Sequence, residues 1–126
     1  MPITPNFNSE NNMLTLSNGT IFIDDEDDRD LLATLTGEEL FVLDRIYYET
    51  DDFRYAVNII EEGRYNFLPE VLNDYDLGLY YVDAITSDEL TDSLLRNYFD
   101  YESYGRDLRI EGNFIETPRG LIEITD

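Results

Sequence analysis

Charge is the feature that most constrains how this chain can fold. The 126 residues include 29 Asp and Glu but only 8 basic residues, which gives a formal net charge of −21 at pH 7. Carboxylates at this density repel one another and destabilise a compact state. Yet 42% of the residues are hydrophobic, with 10 Tyr and 7 Phe, and disordered acidic segments lack such apolar content. We therefore predict a folded, elongated, acidic molecule whose partners are basic protein surfaces and not nucleic acid or membranes.

The residue types that are missing narrow the chemistry. All eight basic residues are Arg, and the chain contains no Lys, His or Cys. Ser–His and Cys–His nucleophile pairs and a Schiff-base lysine therefore cannot be assembled. A carboxylate pair can hydrolyse glycosides, but among 29 acids almost any spacing arises by chance. We expect a protein that is not an enzyme and uses no cofactor.

A calcium site is the alternative interpretation of the acidic run at residues 24–30. If Asp24 were the first ligand of a calcium loop, the position that requires glycine would hold Arg29. The position of the bidentate glutamate would hold Leu35. The ligand register fails, and we expect a solvated acidic face with no metal.

The first third of the chain predicts a β-hairpin. Residues 1–12 are rich in Asn and Pro and are expected to form a flexible arm. In residues 13–35, apolar and polar residues alternate on both sides of Asn18-Gly19, a dipeptide that favours a two-residue hairpin turn. The run of like charges from Asp24 to Asp30 then favours an acidic loop or an exposed helix start.

Residues 36–126 show helical signals. Thr36 and Glu39 have capping-box spacing, which predicts a helix of about ten residues. A second amphipathic helix is expected to end at Gly63 and to be followed by a short strand. Pro69 suits the start of another helix, and Gly78 its end.

The last part of the chain predicts two further helices and a closing hairpin. Helical spacing begins at residue 87, and a second helix is expected over residues 101–108. Residues 115–124 alternate around Pro118-Arg119-Gly120 and predict a hairpin. The expected fold class is α+β, with short helices between an N-terminal and a C-terminal β-hairpin.

The density of negative charge resembles that of DNA. A globule of this length is roughly 36 Å across. B-DNA carries one phosphate per ~1.7 Å of axis, hence about 21 charges over that length. This match favours a protein that occupies a DNA-binding surface. Adaptation to high salt, and a generic acidic adapter that binds a basic protein, are the alternatives.

One segment carries a family resemblance. The string LLRNYFDYESYGRDL at residues 94–108, with AVNIIEEG at residues 56–63 upstream, resembles the ArdA antirestriction family, DNA mimics of conjugative elements and phages. The resemblance covers about residues 38–126. It implies an elongated, curved homodimer, with type I restriction-modification enzymes as targets and no catalysis. The sequence has neither the pattern of a signal peptide nor an apolar run long enough to span a membrane, so we expect the protein in the cytoplasm of a bacterial host cell. Family members usually have a longer N-terminus, so another DNA-binding defence protein, such as a CRISPR effector, is an alternative target.

Two groups of site residues follow from this interpretation. The dimer contact is expected where apolar and Arg side chains are most abundant, in the segment that carries the resemblance. Its residues are Leu94, Leu95, Tyr98, Phe99, Tyr101, Tyr104 and Arg106. The carboxylates expected to stand in for phosphates are Asp24, Asp25, Glu26, Asp27, Asp28, Asp30, Glu38, Glu39, Asp44, Glu49, Asp51, Asp52, Glu61, Glu62, Glu70, Asp74, Asp76, Asp83, Asp88, Glu89 and Asp92.

Overall fold

The computed structural model of the chain describes residues 4–85 and 100–125, with side chains only through residue 82 in the first range. The described residues form five helices and two three-stranded sheets, which confirms the α+β class. The chain divides into two compact units, the first ending at Tyr65 and the second comprising Asn66–Thr125.

The first unit opens with an antiparallel sheet. Strands β1 (Asn6–Asn8), β2 (Met13–Leu16) and β3 (Gly19–Phe22) lie in that order. The β2–β3 hairpin is the predicted one, with Gly19 at a φ of 126° that favours glycine. Strand β1 differs from the expected flexible arm, because its residues pair with β2 along the sheet edge.

Three helices complete the first unit: α1 (Glu26–Thr34), α2 (Gly37–Thr50) and α3 (Phe53–Glu62). The predicted capping box precedes α2, since Glu39 N–H donates to Thr36 Oγ1 and Thr36 N–H donates to Glu39 Oε1, at 3.1 and 2.9 Å. Helix α3 ends at Gly63, as predicted, with a φ of 66°.

Of the two alternatives for the acidic run, a loop or an exposed helix start, the structure has the helix, α1. The Asp25 side chain accepts a hydrogen bond from the Asp28 backbone N–H and caps the helix. Three acids in the first turn also interact favourably with the positive end of the helix dipole. Repulsion between neighbouring carboxylates is therefore offset at the start of α1.

The second unit pairs two helices with a second sheet. Strand β4 (Tyr65–Pro69) leads into α4 (Asp74–Ile85), and after the undescribed residues α5 (Tyr101–Glu111) is followed by β5 (Phe114–Thr117) and β6 (Gly120–Ile124). The sheet order is β4-β6-β5, and β5 with β6 is the predicted closing hairpin.

Gly78 does not end a helix, contrary to the sequence prediction. It lies inside α4, where an added Cβ would overlap the backbone carbonyl of Tyr101 on α5. The glycine allows the two helices to approach closely. The predicted helix start at Pro69 is likewise wrong, since Pro69 ends β4 and α4 begins at Asp74.

Each unit has its own apolar core. In the first unit, strand β2 buries Leu14 and Leu16. The second unit has a separate buried cluster of Leu68, Val71, Leu77 and Leu121, against which Tyr81, Leu108 and Phe114 pack. No helix in the described part of the chain is long and apolar enough to cross a membrane.

Candidate functional site

Asp28 is buried and paired inside the first unit. The residue is 7% exposed, and its carboxylate accepts two hydrogen bonds from the Arg54 guanidinium on α3, at 3.0 and 2.5 Å. A bidentate Arg–carboxylate pair satisfies the charge that burial would otherwise leave uncompensated. Asp28 therefore joins α1 to α3 and does not belong to the exposed surface.

Asp44 on α2 is also internal. It is 2% exposed and accepts hydrogen bonds from the Ser17 backbone N–H at 2.9 Å and from the Ser17 hydroxyl at 2.5 Å. Ser17 is in the β2–β3 turn, so this carboxylate fixes the hairpin to the helix. Of the 17 assigned carboxylates whose side chains the structure describes, Asp28 and Asp44 are the two that are buried.

Several exposed acids also cap helices. Asp25 caps α1, Asp52 caps α3 by accepting from the Tyr55 backbone N–H at 3.0 Å, and Glu39 takes part in the α2 capping box. One carboxylate oxygen serves the helix in each case. The other oxygen of Asp25 and of Asp52 makes no hydrogen bond to a residue in the described ranges, so these side chains still carry negative charge at the surface.

The outward face of α1 carries unpaired carboxylates. Glu26, Asp27 and Asp30 are exposed, and within the described residues none of them forms a hydrogen bond or ion pair through its side chain. Residues three and four apart share a helix face, and here Glu26 and Asp27 precede Asp30 by one turn. With Asp24 just before the helix, they form an exposed cluster that we call the α1 acidic surface: Asp24, Asp25, Glu26, Asp27 and Asp30.

Acidic side chains of the first unit raise the pKa of two neighbouring groups. The pKa of Arg54 is raised by its hydrogen bonds to Asp28 first, and by the charges of Asp25 and Glu61 in addition. Asp28 contacts this exposed guanidinium directly, and Asp25 and Glu61 act on it through their charge.

The second group is Tyr65, at the end of the first unit. Burial raises the pKa of its hydroxyl, and the charges of Glu39 and Glu38 raise it further. The charges at the start of α2 therefore reach the hydroxyl of the tyrosine that begins β4.

The remaining assigned acids of the first unit have mixed surroundings. Glu49 lies 3.8 Å from the Arg45 guanidinium, and Glu62 forms a 2.6 Å ion pair with Arg64. Asp51 is exposed with a left-handed backbone at the end of α2. Exposed ion pairs of this kind leave most of the carboxylate surface accessible to a partner.

In the second unit, Asp74 is tied to α5. Its carboxylate accepts from Arg109 Nε and Nη2, at 2.7 and 3.3 Å, and these hydrogen bonds hold the pKa of Asp74 below its ordinary value. Asp76 accepts from the Leu72 backbone N–H at 3.2 Å, and Glu70 is exposed. Asp74 and Asp76 therefore support the local fold as well as the surface charge.

The expected dimer segment is described only in part. Tyr101 is buried and packs edge-to-face on Tyr75 with ring centroids 5.6 Å apart, so its ring serves the α4–α5 contact. Tyr104 is half-buried and Arg106 is exposed. Leu94, Leu95, Tyr98 and Phe99 lie outside the described residues, as do Asp88 and Glu89, Asp92, and the side chain of Asp83.

The sequence alone does not identify the donors that bind the two buried carboxylates. Arg54 and Ser17 lie 26 and 27 residues from the carboxylates that they bind, and no local pattern links the pairs. Among residues 4–85 and 100–125, no three acidic side chains converge into a group that could hold a metal ion. The exposed acids of the described residues form a charged surface.

Comparison with protein families identifies the class to which the chain belongs. A family model described as "Antirestriction protein (ArdA)" matches residues 11–123. Because the match spans most of the chain, the protein is an antirestriction protein. It belongs to the ArdA family, whose partners are restriction-modification proteins and which is not known as a family of enzymes. No curated protein matches the chain. The match confirms the resemblance seen in the sequence and begins earlier, at residue 11, just before strand β2.

Proposed function

We propose that this protein blocks DNA binding by a type I restriction-modification complex by placing its carboxylates where the DNA-binding groove binds phosphates. Family membership supports the choice of system, and the acidic surface supplies the chemistry of contact. A groove lined by Lys and Arg attracts either polyanion for the same electrostatic reason. Inhibition then requires occupancy alone and no covalent step.

The observation that carries this proposal is the α1 acidic surface. Glu26, Asp27 and Asp30 lie within one turn of the helix, and the helix rises 1.5 Å per residue, so they supply roughly one charge per 3 Å of axis. One strand of B-DNA supplies a phosphate per ~3.4 Å. This surface therefore offers a basic groove a charge spacing close to that of a DNA strand.

Four of the eight arginines support the same function because they lie close to the chain's own acids. Arg54, Arg64 and Arg109 each contact a carboxylate within 2.7 Å, and Arg45 lies 3.8 Å from Glu49. A guanidinium held by the chain's own acids repels a basic partner less than a free cation would. Because Lys is absent, the chain has no flexible ammonium groups at its surface.

The proposed site keeps the acids that were assigned from the sequence, with two exceptions. Asp28 and Asp44 are excluded because their carboxylates are buried in contacts with Arg54 and Ser17. Asp83, Asp88, Glu89 and Asp92 remain in the proposal on the sequence alone.

We also propose that the protein acts as a homodimer joined near residues 94–108. A single chain of this size reaches about 36 Å, roughly one turn of DNA, and two chains double that length. Because Tyr101 packs within its own unit, the contact would rest on Tyr104, Arg106 and the segment that precedes them.

The test is a competition measurement with a charge-neutral α1. A triple variant, Glu26→Gln, Asp27→Asn and Asp30→Asn, is titrated against a labelled duplex bound to a type I methyltransferase complex. We expect the variant to compete roughly tenfold more weakly than wild type, since each lost ion contact is worth up to about 1 kcal/mol. Its binding should also depend less on salt.

The matched control removes three exposed charges that belong neither to the proposed site nor to residues 94–108: Glu10→Gln, Glu111→Gln and Glu116→Gln. It changes the net charge equally, so a loss confined to the α1 variant localises the contact. Equal losses in both variants would indicate a generic acidic adapter. If the wild type competed only on a CRISPR effector or another DNA-binding defence protein, the proposed target would be wrong.

A further inference from the structure

Phe22 breaks the alternation of strand β3. Ile21 is half-buried and Ile23 is buried, whereas Phe22 between them is 57% exposed. A strand with one solvated face carries polar residues on that face. Packing in the core of the first unit does not explain a large aromatic side chain at this exposed position.

The cross-strand neighbours of Phe22 make it stand out further. Its partner across the β2–β3 pair is Met13, and the partner of Met13 on β1 is Asn8. Directly opposite residues share a sheet face, and the next row on this face holds Thr15 and Thr20. Phe22 and Met13 are therefore an apolar pair on an otherwise polar surface.

Arg29 of α1 supports the ring from one side. Its guanidinium carbon lies 5.6 Å from the Phe22 ring centroid, and its Nε donates to the Ile23 carbonyl at 2.7 Å. Arg29 forms no ion pair with a carboxylate in the described residues, although Asp25 and Glu26 precede it by one turn. The arginine thus fixes the ring and lowers the entropy that Phe22 would lose on binding.

The position of Phe22 connects it to the α1 acidic surface. Asp24 and Asp25 follow two and three residues later in the chain, and the Arg29 contact joins the ring to α1 itself. Arg29 covers one side of the ring, and the exposed remainder of Phe22 is open to an ammonium or guanidinium group, whose charge the neighbouring carboxylates outweigh together with that of Arg29. Charge complementarity therefore selects a basic side chain as its occupant.

We propose that Phe22 is an affinity-determining contact of the α1 acidic surface, where its ring binds a lysine or arginine side chain of the partner's DNA-binding groove. This inference rests on the proposed function. Aromatic residues at the centre of an interface often account for a large share of the binding energy. A contact made by apolar area and a ring face is screened by salt far less than exposed ion pairs are. Phe22 would thus supply affinity that a chain of phosphates does not offer.

The experiment measures competition with a labelled duplex for a type I methyltransferase complex at low and high salt. Phe22→Ser is expected to bind roughly tenfold more weakly at both salt concentrations, with the salt dependence of wild type. Phe22→Tyr keeps the ring and is expected to retain wild-type affinity. The matched control is Tyr48→Ser, because Tyr48 is 51% exposed and stacks on Arg45 at 4.8 Å; it should have no effect.

Phe22→Leu is a second variant that keeps an apolar residue in β3 and removes only the ring, so it is less prone to unfold than Phe22→Ser. We expect this variant also to bind more weakly than wild type. Thermal unfolding of each variant checks that the fold is intact. If wild type competes and both ring-free variants compete equally well, the inference is wrong and the proposed function stands. If wild type does not compete, the proposed function fails and the inference fails with it. A change of oligomeric state in Phe22→Ser, measured by light scattering, would instead assign this face to contacts between copies.

Discussion

At the scale of single residues, Asp28 and Asp44 show what a carboxylate needs before it can be buried. Asp28 has a bidentate guanidinium from Arg54, and Asp44 has two donors from Ser17. Without such partners, a buried charge costs several kcal/mol. Glu26 and Asp27 have no such partner among the described residues and remain in water. Partners within the fold therefore decide which acids are structural and which are available to bind.

Asp74 and Arg109 give a prediction about pH. The hydrogen bonds from Arg109 lower the pKa of Asp74 in the folded chain. A carboxyl whose pKa is lower in the folded state stabilises the fold above its unfolded pKa, near 3.8, and this stabilisation is lost as pH falls through the folded value. We expect Arg109→Gln to be less stable than wild type at pH 7, and the difference to shrink under acid conditions.

Urea unfolding of both proteins at pH 7 and in the acid range measures this difference. Arg106→Gln is the control, because Arg106 acts on Asp74 through charge alone and should have a smaller effect. A stability difference that is the same at both pH values would show that Arg109 acts through packing and not through the carboxylate.

At the scale of elements, the contact between α4 and α5 depends on two glycines. An added Cβ on Gly105 would overlap the carbonyl of Asp74, and one on Gly78 would overlap the carbonyl of Tyr101. The helices approach so closely that backbone meets backbone. A methyl group at either position must push the two helices apart.

We expect Gly105→Ala to destabilise the protein by about 3 kcal/mol, the upper range for overpacking. Gly37→Ala is the control, since a Cβ on Gly37 meets nothing within 4 Å and alanine favours the first turn of α2. Thermal unfolding of both variants measures the effect. Equal midpoints for the two variants would contradict the close contact.

The elements also show what the sequence can predict. The α2 capping box and the β5–β6 hairpin were predicted because their signals lie within a few residues. The helical start of α1 depends in part on the pair between Asp28 and Arg54, which are 26 residues apart. Gly78 was misassigned because a glycine at a helix end and one at a helix crossing look alike in sequence.

The sequence predicted the acidity of the surface and not which individual acids are exposed. Net charge and the absence of Lys predicted an acidic binding surface. They did not distinguish Asp44 from Glu38, because burial depends on how α2 packs against the hairpin. Phe22 carried a local signal, an aromatic residue at a polar strand position, that the alternation of Ile21 and Ile23 obscured.

At the scale of the whole molecule, charge governs self-association. Two chains of charge −21 repel each other, and salt screens this repulsion, so the proposed homodimer should strengthen as salt rises. Tyr98→Asp should weaken it by adding charge to the proposed contact. Light scattering combined with small-angle X-ray scattering, for wild type and this variant, checks both expectations. A wild type that stays monomeric at micromolar concentration in physiological salt would contradict the dimer.

Mutual exclusion of protein and DNA is the most direct test of the account. A type I methyltransferase complex is saturated with a fluorescent duplex that contains its recognition sequence, and unlabelled protein is titrated in during sedimentation. We predict that the duplex is released in full and never sediments with both proteins, and that more protein is needed at high salt. A ternary species containing duplex, methyltransferase and this protein would contradict occupation of the DNA-binding groove.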